Sequence, residues 1–240
     1  MKCKRRKNFL LAAGLALLLV LAIQAVVWGE REIPVFGPDS LRQAVLIIDA
    51  GHGGEDGGAV SVTGTRESDL NLSVAKRVDA LAGFYGVQAV LLRDSDRSLH
   101  NEEAQTLHEK KESDLKNRVQ TVEETEGAML LSIHQNSYPD SRYRGAQVFY
   151  SNEALSSQWA ELTQNLLRAA LDQENHRLAK VIPDTIYLMN HITCPALLVE
   201  CGFLSNPEEA LLLESDGYQT KIALSLLAAF LQARAEGVGP

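Results

Sequence analysis

The chain has 240 residues, 45% of them apolar and 22% charged, which is enough for one domain with a full hydrophobic core plus a tail. Its net charge of −8 is unevenly placed, because five basic side chains and no acid occur in the first eight residues, leaving 18 basic against 31 acidic side chains in the rest. So acidic a surface argues against nucleic acid as a partner, and any anionic polymer has to be bound in a shaped groove.

The N-terminal 28 residues predict a membrane-targeting segment. Phe9 to Trp28 is a run of twenty residues with one polar side chain, Gln24, and as a helix it would span roughly 30 Å, the thickness of a hydrocarbon core. The basic residues before it predict a cytoplasmic N-terminus and an exported remainder. The run is longer than the ~7–15 residue apolar region of a cleaved signal peptide and lacks a clear cleavage site, which favours an uncleaved anchor over a signal peptide.

Residues 29–43 predict a linker, since they contain Gly29, Pro34, Gly37 and Pro38 and show no apolar periodicity. The domain is therefore expected to span residues 44–236. No internal repeat or low-complexity segment interrupts it.

Strand and helix patterns alternate from residue 44 onward. Short apolar runs predict strands at 45–49, 87–92, 128–133, 146–150 and 197–199. Apolar residues at helical spacing predict helices near 68–82, 115–122, 155–166 and 218–233, the first capped by Ser68 or Asp69. The polar residues 94–111 predict a solvated loop, a flexible lip of the site. This alternation predicts an α/β fold, a mostly parallel twisted sheet with helices on both faces, preceded by the membrane helix.

Four side chains suited to metal binding or acid–base chemistry fall where these elements meet. They are His52 after the first strand, Glu67 at a helix start, His134 at the end of the third strand and Glu200 at the end of a late strand. Because ligands bind beyond the carboxyl ends of parallel strands, all four are expected at one edge of the sheet. Two histidines and a glutamate are a usual ligand set for catalytic zinc, and a further glutamate is its usual general base.

Each of these residues also has an ordinary interpretation. A histidine in a glycine-rich loop is more often polar surface, and a glutamate at a helix start more often complements the helix dipole. A carboxylate at the end of a buried strand, such as Glu200, needs a partner. The convergence of all four on one edge favours a functional site.

The cysteines predict no disulfide framework. Cys194 and Cys201 flank an extended stretch that separates them by roughly 23 Å, whereas a disulfide needs about 4.4–6.8 Å, so both are expected to be unpaired. Cys201 beside Glu200 is a conceivable nucleophile, but a buried structural cysteine is favoured.

Four segments in the chain resemble the motifs of the zinc N-acetylmuramoyl-L-alanine amidases, in the order that family uses. They are DAGHGGEDGGA, RESDLNL, LLSIHQN and LLVECGFLSNPEE, and the resemblance covers roughly Val45 to Ala233. The stretches HQNSYPDSRYRGAQVFYS and IYLMNHITCPALLVECGF are most similar to the germination-specific amidases. Cys201, where an apolar residue is more usual, and Ser137, where alanine is common, depart from the pattern.

The resemblance implies a reaction and a set of roles. Zinc would be held by His52, Glu67 and His134, with Glu200 as the catalytic base. The bond cut would be the amide between N-acetylmuramic acid and L-alanine in peptidoglycan, whose glycan strand and stem peptide would lie in an open groove. The resemblance further implies an exported enzyme at the forespore surface that acts on spore cortex so that muramic-δ-lactam can form. Whether a protein partner activates it stays open.

Two other functions fit some of the same residues. His52 and Glu55 have the H-x-x-E spacing of zinc carboxypeptidases, which with His134 would give an alternative ligand set, and Arg142 or Arg144 would hold a peptide carboxylate. A non-enzymatic wall-binding scaffold would keep the fold, but such proteins usually lose ligands, and none is missing here.

Overall fold

The structure, a computed structural model, describes residues 44–151 and 154–239. The predicted anchor at 9–28 and the linker at 29–43 lie outside this described part. Among the described residues, no helix is both long enough and apolar enough to span a membrane.

Strands and helices alternate along most of the described chain. The strands are β1 (Val45–Ala50), β2 (Ala89–Leu91), β3 (Ala128–Asn136), β4 (Gln147–Tyr150), β5 (Lys180–Val181) and β6 (Ala196–Phe203). The helices are α1 (Glu67–Phe84), α2 (Leu107–Glu123), α3 (Ala154–Leu171), α4 (Tyr187–Asn190), α5 (Pro207–Leu213) and α6 (Asp216–Ala235).

All six strands form one sheet, in the order β2-β1-β3-β6-β4-β5. Strands β2, β1, β3 and β6 run parallel, whereas β4 is antiparallel to β6. Strand β4 runs opposite to β3 because the ten residues that join them, 137–146, are fewer than the dozen or more that a crossover connection between parallel strands needs. The predicted mostly parallel α/β fold is confirmed.

The core has two layers, one on each face of the sheet. Leu46 and Ile48 of β1 pack with buried residues of α1, α3 and α6, while Val45 and Ile47 pack on the other face with residues of α2 and α4. Successive residues of a strand point to opposite faces, so a strand buried on both faces is mostly apolar, as β1 is except for the buried Asp49.

Several predicted boundaries were wrong. The N-cap of α1 is Arg66, without a side-chain cap, so neither Ser68 nor Asp69 caps this helix. The predicted loop 94–111 is irregular only to Thr106, where a capping box formed by Thr106 and Glu109 starts α2. That turn is polar and exposed, so it has no apolar periodicity to reveal it. The short elements α4, α5 and β5 were missed because 4, 7 and 2 residues are too few to show a clear period.

Candidate active site

The loop after β1 brings His52 back toward the sheet. His52 has a positive φ of 63°, and Gly53 and Gly54 continue the turn with φ of 134° and 61°. Gly51 must be glycine because a Cβ there would lie 2.2 Å from the His134 ring. This close approach leaves the rings of His52 and His134 edge to face, with centroids 5.1 Å apart.

Glu67, the first residue of α1, lies between the two histidines. Its Oε1 is 3.3 Å from His52 Nε2 and 3.0 Å from His134 Nδ1. One ligand atom from each of the three residues lies within 4.8 Å of the others. Nitrogen and carboxylate oxygen donors in this number fit a zinc site with one open position. About a fifth of each histidine side chain is exposed, so the cluster is open on one side.

Neighbouring N–H groups fix the Glu67 carboxylate. The backbone N–H of Ala59 donates to Oε2 at 2.9 Å, and that of Gln135 donates to Oε1 at 3.1 Å. The Asn71 amide, one helical turn later, donates to Oε1 at 3.3 Å. Burial by itself would raise the pKa of Glu67, but hydrogen bonds from His134 and His52 outweigh it and hold the pKa well below its ordinary value.

Asp56 orients His52 from the opposite side. Its Oδ1 lies 3.1 Å from His52 Nδ1, and Lys111 Nζ lies 3.3 Å from its Oδ2. Burial disfavours the charged imidazolium, but the Asp56 and Glu67 carboxylates outweigh it and raise the pKa of His52 to about 9. A carboxylate on the outer nitrogen of a metal-binding histidine is a common supporting contact. Asp56 was not predicted from the sequence, although its spacing of four residues from His52 within the glycine-rich loop was a usable signal.

Glu200 lies beside His134 on the neighbouring strand, since the two are register partners of β6 and β3. Both residues lie within their strands and not at the ends as expected, His134 two residues before the end of β3 and Glu200 three residues before the end of β6. The Glu200 Oε2 atom is buried, and the described residues offer it no hydrogen-bond partner. Burial raises the pKa of Glu200 to about 7.

A cavity of about 510 Å³ opens over these residues. His52, Glu67, His134 and Glu200 line it, and so does the segment from Thr185 to Met189. Such a cavity is large enough to admit part of a substrate to all four side chains.

Glu55 takes no part in the cluster. It is exposed, and Lys110 Nζ lies 2.5 Å from its Oε1. Arg142, which is 88% exposed, pairs with Asp140, and Arg144 pairs with Asp172. The structure therefore does not bring together the residues of the carboxypeptidase-like alternative.

Cys201 is a free, fully buried thiol. It therefore forms no disulfide with Cys194, as expected. Burial and then the nearby Glu200 raise the pKa of the thiol, which keeps it protonated at neutral pH. A reactive cysteine needs a lowered pKa and some solvent exposure, so these properties fit the interpretation of Cys201 as a buried structural residue.

Comparison with known proteins gives consistent results. Residues 46–232 match the family described as N-acetylmuramoyl-L-alanine amidase. The chain is 35% identical over 206 residues to the germination-specific N-acetylmuramoyl-L-alanine amidase of Bacillus subtilis, covering 85% of this chain and 83% of that protein.

Solved structures of similar proteins share the fold. The CwlD amidase of Clostridioides difficile, solved in complex with the GerS lipoprotein, is 36% identical and superposes with a TM-score of 0.77 over 80% of this chain and 99% of that one. The amidase AmiC2 of Nostoc punctiforme is 30% identical, with a TM-score of 0.62 over 79% and 96% of the two chains.

Proposed function

The chain belongs to the N-acetylmuramoyl-L-alanine amidase family, and on that premise we propose that it works with zinc held by His52, Glu67 and His134 and with Glu200 as general base. It is an amidase that acts on peptidoglycan. The resemblance found in the sequence motifs is thereby confirmed at the level of the family. The bond cut is the amide that joins N-acetylmuramic acid to L-alanine.

One observation carries the proposed roles. Three residues distant in sequence offer two nitrogens and a carboxylate oxygen within 4.8 Å of one another, and Glu200 lies next to them without joining the cluster. This donor set suits zinc, and it leaves one glutamate for proton transfer.

The residues of the chain then divide the work. When bound, zinc supplies a Lewis acid that polarises the scissile carbonyl and makes a water molecule easier to deprotonate. Glu200 takes a proton from the attacking water and returns it to the leaving amine of L-alanine. In the metal-free protein burial raises the pKa of Glu200 to about 7, and a raised pKa suits both steps because a group with a pKa near the working pH accepts and releases a proton readily.

Mass spectrometry of purified peptidoglycan treated with the purified protein, with and without added zinc, tests this function. We expect release of intact stem peptides with a free L-alanine N-terminus, and loss of this product in a chelator. Shortened stem peptides that remain attached to muramic acid would overturn the proposal and favour the carboxypeptidase-like reaction of His52, Glu55 and His134.

The biological substrate we propose is the spore cortex. The similarity to an amidase named germination-specific, and to the CwlD amidase, supports this assignment. Removal of stem peptides there would leave muramic acid free for conversion to muramic-δ-lactam. Muropeptide analysis of spores that lack this protein tests the role, because cortex with normal muramic-δ-lactam would refute it and leave the amidase chemistry untouched.

We further propose that residues 9–28 anchor the protein in the membrane with residues 44–236 outside the cytoplasm. The apolar run and the basic residues before it support this topology. Added protease should reach the domain only from the outer side, whereas a soluble mature protein that begins near residue 29 would indicate a cleaved signal. Because CwlD was solved with a lipoprotein, a membrane-attached protein partner is also proposed, and co-purification from membranes tests it.

A further inference from the structure

Two buried arginines lie beneath the loop that carries His52. Arg93, which follows β2, donates from Nε to the carbonyl of Ala50 at 2.8 Å and from Nη2 to the carbonyl of Gly51 at 3.1 Å. The same Nη2 donates to the carbonyl of Ser68 in the first turn of α1, at 2.8 Å. Arg93 thereby joins the His52 loop to the helix that presents Glu67.

Arg118 reaches the same loop from α2, on the other face of the sheet. It donates from Nη1 to the carbonyl of Ala50 at 3.1 Å and from Nη2 to the carbonyl of His52 at 2.9 Å. Its remaining N–H groups bond the carboxylates of Asp49 and Asp114. Asp49 is fixed in turn by the hydroxyl of Ser132 at 2.6 Å.

These contacts leave Arg118 nothing to offer a substrate. All five of its N–H donors have protein acceptors, and the side chain is almost fully buried. Arg93 is fully buried and uses four carbonyl acceptors. Their role must therefore be exerted through the loop.

The loop needs such support because of its backbone. His52 is the only described residue other than glycine with a positive φ, a conformation that a side chain disfavours unless its surroundings enforce it. The carbonyls of residues 50, 51 and 52 point into the protein, where a buried acceptor without a donor is costly. The two guanidinium groups supply those donors.

We infer that Arg93 and Arg118 are positioning residues, which hold the His52 loop in its metal-binding conformation before the metal arrives. The inference rests on the proposed function, since it takes His52 as a ligand. On this inference the two arginines contribute to zinc affinity although neither contacts the metal or the substrate. Loss of such supporting contacts typically weakens metal binding by ~10–100-fold.

The test replaces each arginine by lysine, which keeps the charge but cannot donate to several carbonyls at once. The matched control is Arg168→Lys. Arg168 lies on α3 and clamps another loop in the same manner, through the carbonyls of Asn175 and Arg177 at 2.6 and 2.7 Å. Zinc dissociation constants are measured by chelator competition on the full-length protein, at a temperature where every variant is folded.

We expect zinc affinity to fall by ~10–100-fold in Arg93→Lys and in Arg118→Lys, and to stay at the wild-type value in Arg168→Lys. The double variant should lose more than the product of the single losses, because the Ala50 carbonyl keeps one arginine donor in each single variant and loses both in the double variant. Equal zinc affinities in the wild-type protein, the three single variants and the double variant would overturn the inference.

A second measurement needs no metal. In the metal-free protein, hydrogen exchange at the amides of Gly53 and Gly54 should accelerate in Arg93→Lys and Arg118→Lys only. The Gly53 amide is bonded to the Asp56 carbonyl in the same loop and the Gly54 amide to the Asp96 carboxylate after β2, and both bonds depend on the conformation of the loop. Unchanged hydrogen exchange at these two amides would contradict the role of Arg93 and Arg118 in holding the loop. A wild-type protein that binds no zinc refutes the proposed function instead, and the exchange measurement then still decides whether the arginines hold the loop.

Discussion

Glu67 and Glu200 lie at the same sheet edge in opposite surroundings. Glu67 receives hydrogen bonds from two backbone N–H groups and from Asn71, and both histidines face it. Glu200 has an oxygen without any hydrogen-bond partner among the described residues. The pKa of Glu67 is accordingly lowered, while burial raises that of Glu200 to about 7.

This difference in surroundings fits the two roles proposed for the glutamates, metal ligand for Glu67 and general base for Glu200. A metal ligand has to stay ionised and keep one orientation, which a shell of donors provides. A general base has to gain and lose a proton near neutral pH, which a poorly solvated carboxylate does. The number of N–H groups around each carboxylate therefore supports the proposed ligand role of Glu67 and the proposed base role of Glu200.

Removing one of the proposed metal ligands should have the largest effect on zinc content. We predict that Glu67→Ala and His134→Ala lose their zinc, because two remaining protein ligands are too few to hold the ion. Metal analysis after dialysis measures this, with the exposed Glu55→Ala as the matched control that keeps its zinc. The opposite result, zinc retained in Glu67→Ala and lost in Glu55→Ala, would reverse the ligand assignment.

Changing the base should spare the metal. We predict that Glu200→Gln keeps its zinc and fold but loses ~10²–10⁴-fold in kcat, the usual contribution of general base catalysis. Glutamine preserves the shape of the side chain and removes only the proton acceptor. Turnover of the zinc-loaded variant on purified peptidoglycan measures this, and wild-type turnover would exclude Glu200 as the base.

The raised pKa of Glu200 also predicts a pH dependence of stability. In the metal-free protein the folded state keeps this proton up to about pH 7, whereas the unfolded chain loses it near pH 4.5. The contribution of Glu200 to stability is therefore fully present below pH 4.5 and lost as the pH rises through 7, on the order of 3 kcal/mol at 1.36 kcal/mol per pKa unit.

Denaturant unfolding in the presence of a chelator, at several pH values from 4.5 to 7.5, measures that dependence. Glu200→Gln should lack it, so the difference in unfolding free energy between the two proteins should change across this range. A constant difference would mean that Glu200 titrates normally and is better solvated than its burial indicates.

Replacing Asp56, which supports the proposed ligand His52, should have a smaller effect on zinc binding. We predict that Asp56→Asn weakens zinc binding by ~10–100-fold, because His52 loses the carboxylate at Nδ1. In the metal-free protein the pKa of His52 should fall from about 9 toward its ordinary value, which an NMR titration detects. An unchanged titration would show that Glu67 by itself controls His52.

Cys201 should give the smallest effect. The thiol is buried beside Glu200 but faces neither the metal cluster nor the cavity. We predict that Cys201→Ser keeps most of the activity on peptidoglycan. An inactive Cys201→Ser together with an active Glu200→Gln would indicate thiol chemistry and exclude zinc hydrolysis.

The apolar periodicity determined the α/β class, the succession of the main strands along the chain and the sheet edge where His52, Glu67, His134 and Glu200 meet. These features are local, because a buried strand is apolar in its own residues and parallel strands end at a common edge. The start of α2 was not predicted, because its polar first turn has no apolar periodicity. The direction of β4 was not predicted either, because apolar periodicity carries no information about strand direction.

The tertiary structure alone decided how the two glutamates differ. Glu67 is bonded by Gln135, 68 residues away in sequence, and the His52 loop by Arg93 and Arg118, 42 and 66 residues away. A hydrogen bond depends on where the chain places donor and acceptor, and neither residue type nor spacing along the sequence encodes that placement. The sequence identified both carboxylates, but only the fold surrounds Glu67 with N–H groups and leaves Glu200 Oε2 without a partner in the described part of the chain.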